Sequence, residues 1–159
     1  MVELGCGEQS IFEQLSLSHK VLMMEAYDIN ELSINSYKER ASTVNRLNDV
    51  TFRVGDVLEL CLDSSVKCFI DSHLIHCLDN RAHMSQYLDN LYDALVENGF
   101  VALEVMCSNS AFKKAYQGQL DDGYLKRYNR HVLYSHEWEK LFMDSGFKIE
   151  VFRILKGFK

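Results

Sequence analysis

The chain has no proline in its 159 residues. Average usage of about 5% predicts several, and nothing in the sequence attaches a function to that gap. Long apolar runs are missing too. No stretch reaches the roughly 20 residues a helix needs to cross a bilayer. The N-terminus has no basic segment followed by an apolar one, so no signal peptide is expected; the expected location is cytoplasmic. Basic excess is absent as well. The formal net charge of −6 disfavours nucleic acid or an anionic membrane surface as the main partner. The five cysteines, Cys6, Cys61, Cys68, Cys77 and Cys107, form no CxxC pair and no zinc-finger spacing, so free thiols are expected rather than disulfides or a metal site. There is no internal repeat and no linker. With 47% hydrophobic and 25% charged residues, residues 1–159 read as one domain with a sizeable core.

What is present is organised around Val2-Glu3-Leu4-Gly5-Cys6-Gly7-Glu8-Gln9-Ser10. This reads as the end of a buried strand, a glycine turn and a helix starting near Ser10. Two glycines at i and i+2 allow positive φ and let a ligand touch the backbone. Glu3 is placed to accept a hydrogen bond from a bound amine, and the helix start offers N–H groups to an anion. A ligand-free strand-to-helix turn is an equal reading of the motif alone.

The rest of the chain alternates strand and helix signals. Residues 10–18 read as an amphipathic helix, and Val21 to Tyr27 as a strand stopping at Asp28. Glu31 to Val44 reads as a helix capped by Asn30. Val50 to Val54 is a short strand ending at Gly55-Asp56, and Val66 to Ile70 another stopping at Asp71. Arg81 to Val96 is a long helix ended by Gly99. Phe100 to Met106 is a strand, His136 to Met143 a helix with Ser135 as its N-cap, and Phe147 to Leu155 a closing strand. Such alternation predicts an α/β fold, a doubly wound, mostly parallel sheet with helices on both faces. Ligands of these sheets bind beyond the carboxyl ends of the strands. Gly5 to Gly7, Asp28, Asp56 and Asp71 to His76 all fall at such ends. The aspartates have a plainer reading as turn residues. Residues 107–130 are polar, aromatic and locally basic, and leave the top of the fifth strand; they read as a cover over the crevice.

These motifs resemble the class I, Rossmann-like S-adenosylmethionine-dependent methyltransferases. Glu3-Leu4-Gly5-Cys6-Gly7 is similar to the family's first motif. Tyr27-Asp28-Ile29-Asn30 resembles the second-strand motif, and Val54-Gly55-Asp56-Val57 the third. Phe69-Ile70-Asp71-Ser72-His73-Leu74-Ile75-His76 resembles the fourth-strand motif, while Leu95 to Phe100 and Asp144-Ser145-Gly146-Phe147 stand at two later turns. The resemblance implies S-adenosyl-L-methionine as cofactor, with Glu3, Gly5, Cys6, Gly7, Asp28, Ile29, Asp56, Val57 and Asp71 around it. In it Asp28 holds the ribose hydroxyls, Ile29 packs on adenine, and Asp56 binds the adenine amino group. Gln9 stands where a third glycine is common. Met1 falls two residues before Glu3, so an N-terminally shortened domain with weakened cofactor affinity is expected.

The expected function is methyl transfer to a small-molecule acceptor, with no nucleic-acid or membrane partner. Methyl transfer needs mainly alignment of the acceptor atom, and a base helps where the acceptor is a hydroxyl or acid. His73 is the candidate base. His73, His76, Tyr128 and Arg130 are candidates for touching the acceptor, with His76 more readily a structural residue. His131 and His136 are further crevice candidates; Trp138 reads as core. A metal site of Asp71, His73 and His76 is disfavoured because the three straddle a strand end and a loop. Two rivals stand beside this reading. One is a non-catalytic domain that binds the cofactor or a partner. The other is a nicotinamide-dependent oxidoreductase, which shares Gly-x-Gly but wants glycine or alanine at Ser10.

Overall fold

The computed structural model describes residues 1–13, 23–41 and 49–154. Its centre is a five-stranded sheet of β1 (Val2–Leu4), β2 (Met24–Asp28), β3 (Val50–Val54), β4 (Val66–Ser72) and β5 (Leu95–Glu104), in the order β3-β2-β1-β4-β5. Every pairing is parallel. All three residues of β1 are buried, and Leu4 lies opposite Tyr27 on one side and Asp71 on the other. The chain runs outward from β1 to β3, then crosses back to β4. The switch point therefore falls between β1 and β4, where a crevice opens beyond the carboxyl ends.

Side-chain alternation splits the core into two layers. Val2, Leu4 and Phe69 face α2 (Arg81–Ala94) and α4, which begins at Ser135 and ends at Asp144, with Met84, Tyr87, Leu88, Leu91, Trp138 and Phe142 packed against them. Ala26, Phe52, Cys68 and Ile70 face α1 (Glu31–Ala41), whose Ile34 and Tyr37 are fully buried. Tyr37 stacks on Phe52 at 4.5 Å and 2°. Asn30 caps α1 as expected, its Oδ1 accepting from the Leu32 N–H at 3.0 Å. Among the described residues no helix is long and apolar enough to cross a membrane.

Several boundaries differ from the sequence reading. Of the expected helix over 10–18, the described part is one 3-10 turn, Ile11–Glu13, and residues 14–18 lie outside the described residues. The same holds for 21–22 of the second strand, 42–44 of α1 and residue 155. Strand β4 continues through Asp71 to Ser72. Helix α2 stops at Ala94 and β5 begins at once. Asn98, at φ 62°, makes the bend. Gly99 serves close approach instead, since a methyl there would lie 2.9 Å from the Val96 carbonyl. The N-cap of α4 is Tyr134, whose N–H donates to Glu137 Oε2 at 2.8 Å; Ser135 is already helical. Trp138 is core, as expected, and its Nε1 donates to the Met106 carbonyl at 3.0 Å.

Phe147 onward forms no strand in the described residues. Phe147 sets edge-on against Tyr92 at 5.5 Å, and beyond it Val151 and Ile154 are exposed. Alternation supplies a face, but a strand also needs a neighbouring ladder.

The expected cover segment has structure of its own. It comprises β6 (Cys107–Ser108), α3 (Ser110–Ala115), β7 (Leu120–Asp121), β8 (Tyr124–Leu125) and β9 (Arg130–His131), with β10 (Leu133–Tyr134) pairing back to β6. Strands β7, β8 and β9 form a small antiparallel sheet. Asp122 and Gly123, both at positive φ, make the tight β7–β8 turn.

Candidate functional site

The glycine turn is held from both neighbouring strand ends. The N–H groups of Gly5 and Cys6 both donate to the Tyr27 carbonyl, at 2.8 and 3.1 Å. The Gly7 N–H donates to Asp28 Oδ2 at 2.7 Å, and the Asn30 N–H to Asp28 Oδ1 at 2.8 Å. The two glycines do different work. Gly5, at φ 70°, could not carry a side chain, because a methyl would sit 2.6 Å from Leu74 Cδ1. A methyl on Gly7, at φ 53°, would meet no atom within 4 Å, so the turn is open on that side.

Glu3 is 1% exposed. One oxygen accepts from the Ser10 hydroxyl, the other from the Ile11 N–H at 2.9 Å; burial pushes its carboxyl up from the ordinary value. Ser10 Oγ in turn accepts from the Phe12 N–H at 3.1 Å, and the Ser10 carbonyl from the Glu13 N–H at 3.1 Å. The short helical turn after the loop thus has its first N–H groups filled from within the chain, with Glu3 as its anion. The helix start expected to receive an anionic ligand has N–H groups already paired within the chain, and the Glu3 carboxylate expected to face a bound amine is buried against Ser10 and Ile11. Glu3 shapes the loop from inside.

Asp28 remains half-buried and Asp56 likewise. Asp56 Oδ1 accepts from the Leu58 N–H at 2.9 Å, and the adjoining loop is held from α2 by Gln86 and Asn90 on the carbonyls of Leu58 and Val57. The Val57 side chain is buried core. Ile29 is 70% exposed and Leu32 is exposed beside it. Both apolar side chains stand near the strand-end carboxylate of Asp28.

Asp71 does not present its carboxylate to the crevice. Because β4 runs on through it, its side chain shares the Phe69 face beneath α2. It is 1% exposed. It accepts from the N–H groups of Leu74 (2.6 Å) and Ile75 (3.0 Å) and from the Tyr87 hydroxyl (3.0 Å). Burial pushes its pKa up to about 6. Asp71, expected beside the cofactor, thus spends its carboxylate on building the following turn.

That turn carries the histidines. His73 sits at φ 89°, half-exposed, with Nε2 3.9 Å from Glu104 Oε1 across the β4–β5 register. Its ring meets His76 edge-on at 5.6 Å. His76 is buried and its Nδ1 has no hydrogen-bond partner. Burial, with the charges of Arg130, His73 and His131, lowers its pKa to about 4. His131 is buried too, its Nε2 3.4 Å from the Asp79 carbonyl and its Nδ1 unpartnered. Strand β9, bearing Arg130 and His131, lies on the turn Ile75–Cys77. Tyr128 is exposed, with Tyr116 beside it and Arg127 over its ring. His136 is an exposed first-turn residue of α4, stacked on Tyr134. The five cysteines are free thiols, with Cys6 and Cys68 buried and Cys61 exposed.

Sequence reasoning missed the network that fastens the cover segment. Arg81 reaches Glu137 at 3.1 Å and Asp122 at 3.8 Å, Lys113 reaches Glu137 at 3.6 Å, and Lys113 Nζ lies 3.9 Å over the Tyr134 ring. The signal available was the Glu three residues into a helix start.

No protein-family model matches the chain, and no curated protein matches it in sequence. Solved structures match its fold closely. A proposed sarcosine dimethylglycine methyltransferase from Galdieria sulphuraria aligns at 17% identity over 91% of this chain and 52% of that one, with a TM-score of 0.72. The S-adenosylmethionine-dependent methyltransferase SibL aligns at 16% identity over 99% and 46%, TM-score 0.72. The [4+2]-cyclase SpnF aligns at 11% identity over 94% and 51%, TM-score 0.75. The chain thus has the class I, Rossmann-like methyltransferase fold and spans about half the length of these structures. The cyclase among them is a reminder that one fold carries several reactions.

Proposed function

We propose that this chain binds S-adenosyl-L-methionine and takes part in methyl transfer to a small-molecule acceptor. The observation that carries the reading is the strand-end pair Asp28 and Ile29: a carboxylate locked to the N–H of an open glycine turn, followed by a 70% exposed apolar side chain. The residues present fit the cofactor. Gly7 leaves backbone open where a ligand can lie against it, Asp28 keeps lone pairs for vicinal hydroxyls, Ile29 offers a flat apolar contact for a purine, and Asp56 closes the next strand end with an acceptor. Glu3 positions the loop without touching the ligand. The cofactor supplies an electrophilic methyl group on a sulfonium. In this reading His73, whose Nε2 lies 3.9 Å from Glu104 Oε1, takes a proton from the acceptor, and the buried His76 does not.

Calorimetric titration with S-adenosylmethionine and S-adenosylhomocysteine tests the reading. Both are expected to bind. Asp28→Ala should lose roughly 10–100-fold in affinity, as the loss of charge-assisted hydrogen bonds implies, and Asp28→Asn less. A folded chain that binds neither compound sinks the proposal. Binding with no turnover on any acceptor moves the protein to the cofactor-binding, non-catalytic reading.

A further inference from the structure

The basic residues of the cover segment are not equivalent. Lys113 is spent on Glu137 and the Tyr134 ring, Lys126 lies 3.9 Å from Asp121, and Arg127 stacks over Tyr128 at 5.4 Å. Lys114 is in open solvent. Arg130 is different. It is half-buried, its guanidinium donates at 3.0 Å to the neighbouring Asn129 carbonyl, and among the described residues it pairs with no carboxylate and no ring.

Arg130 also lies over the turn that follows β4. Strand β9 packs on Ile75–Cys77, and the Arg130 charge acts on both His76 and Cys77. Two imidazoles sit in the same place, His76 at 1% and His131 at 3% exposure, each with a buried Nδ1 lacking any partner. A half-buried guanidinium without a carboxylate partner and an unmet ring nitrogen are each unfavourable. His131 Nε2 faces the Asp79 carbonyl and so carries that ring's proton, which leaves its Nδ1 an acceptor; Arg130 and the His76 ring are the groups that would meet an anion here. The acidic groups around it are otherwise engaged. Asp71 is filled by Leu74, Ile75 and Tyr87, Asp122 pairs with Arg81, Glu104 faces His73, and Asp79 faces His83. Tyr124, tilted against His131 at 4.9 Å, gives the place an apolar wall.

We propose that Arg130, with the His76 ring behind it and His131 beside it, anchors the carboxylate of the acceptor, so that the substrate is a small organic acid with an apolar body. This rests on the methyl-transfer reading for its role but not for its existence as a binding site. A planar carboxylate matches the guanidinium fork, and the position lies next to His73 at the β4 end, where an acceptor atom would be held.

The probe is phenylacetate, with phenylacetamide as its uncharged match and inorganic phosphate as the alternative anion. Histidine side-chain NMR follows each titration in the wild type, Arg130→Met, Arg130→Lys and the control Arg127→Met. Phenylacetate is expected to saturate and to move the His76 and His131 ring resonances, while the amide does not. Arg130→Met should weaken binding by roughly tenfold or more, Arg130→Lys by less because the charge stays without the fork, and Arg127→Met not measurably. Equal binding of the amide overturns the proposal. So does phosphate binding more tightly than phenylacetate, or an Arg130→Lys variant that binds like the wild type alongside an unchanged Arg130→Met. If Arg130→Met does not fold, the Lys variant and the amide decide. A chain that binds phenylacetate through Arg130 but no S-adenosylmethionine keeps this site and loses the methyl-transfer reading; the reverse result keeps that reading and removes the site.

Discussion

His76 and Asp71 sit five residues apart on one turn and answer acid in opposite ways. The His76 imidazole is held neutral, its pKa lowered to about 4 by burial and by Arg130, His73 and His131. The unfolded chain would take a proton near the ordinary 6.5. Its contribution to stability is therefore complete above pH 6.5 and is lost as pH falls through 4. Asp71, raised to about 6 by burial, contributes most below its ordinary 3.8 and loses that as pH rises through 6, so the wild-type profile alone mixes the two. His76→Leu separates them. Relative to that variant, the wild type should lose on the order of 2 kcal/mol between pH 6.5 and 4. That figure is discounted from the full shift because part of it comes from neighbouring charges that salt screens. Urea unfolding of both proteins across that window gives the comparison, and parallel profiles would mean His76 is already charged in the fold. Neither role was legible beforehand. A carboxylate or imidazole after an apolar run shows that a strand ends nearby, but it does not show whether the strand stops short of Asp71 or runs on through it; because β4 runs on to Ser72, Asp71 keeps the Phe69 face, under Tyr87 instead of in the crevice.

Helices α2 and α4 were readable because apolar residues at helical spacing identify both the element and its buried side. The cover segment was not, and the reason is length. Asp122-Gly123 is a strong two-residue hairpin signal, yet β7 and β8 have two residues each, too few to show alternation. The segment is held instead by ion pairs whose centre is Glu137. Burial alone would raise that carboxyl, but the Tyr134 N–H, Arg81 and Lys113 together hold it below the ordinary value. Glu137→Gln removes two ion pairs and weakens the bond to the Tyr134 N–H. It should cost about 1–2 kcal/mol and, more tellingly, open residues 107–131 to limited proteolysis before the sheet unfolds. Cleavage that tracks global unfolding in both proteins would mean the segment is fastened by its apolar contacts, Leu125 and Leu133, and not by the latch. The missing closing strand has the same lesson from the other side: Phe147 to Ile154 shows the apolar spacing, but it pairs with no strand among the described residues.

At the scale of the molecule, strand and helix alternation was enough to foresee a parallel sheet and the end at which its polar residues gather, because the handedness and connection rules leave few alternatives. What alternation could not supply is the division of labour across the switch point. The β1–β2–β3 side holds the open glycine turn, Asp28, Ile29 and Asp56; the β4–β5 side holds His73, Glu104 and the turn on which β9 rests. If the first half takes the cofactor and the second the acceptor, the two ligands should protect different amides. With S-adenosylhomocysteine alone, hydrogen exchange should slow at Gly5 to Gly7, at Asn30 and over 55–58, where the strand-end hydrogen bonds lie. The 107–131 segment should stay as it is in the free protein. Addition of an organic acid should then slow exchange at Tyr124 to His131 and around Ile75 to Cys77, since that is the contact β9 makes with the body. Protection of 107–131 by the first ligand alone would mean that the segment closes over the cofactor, and that β4 and β5 do not form a separate acceptor half.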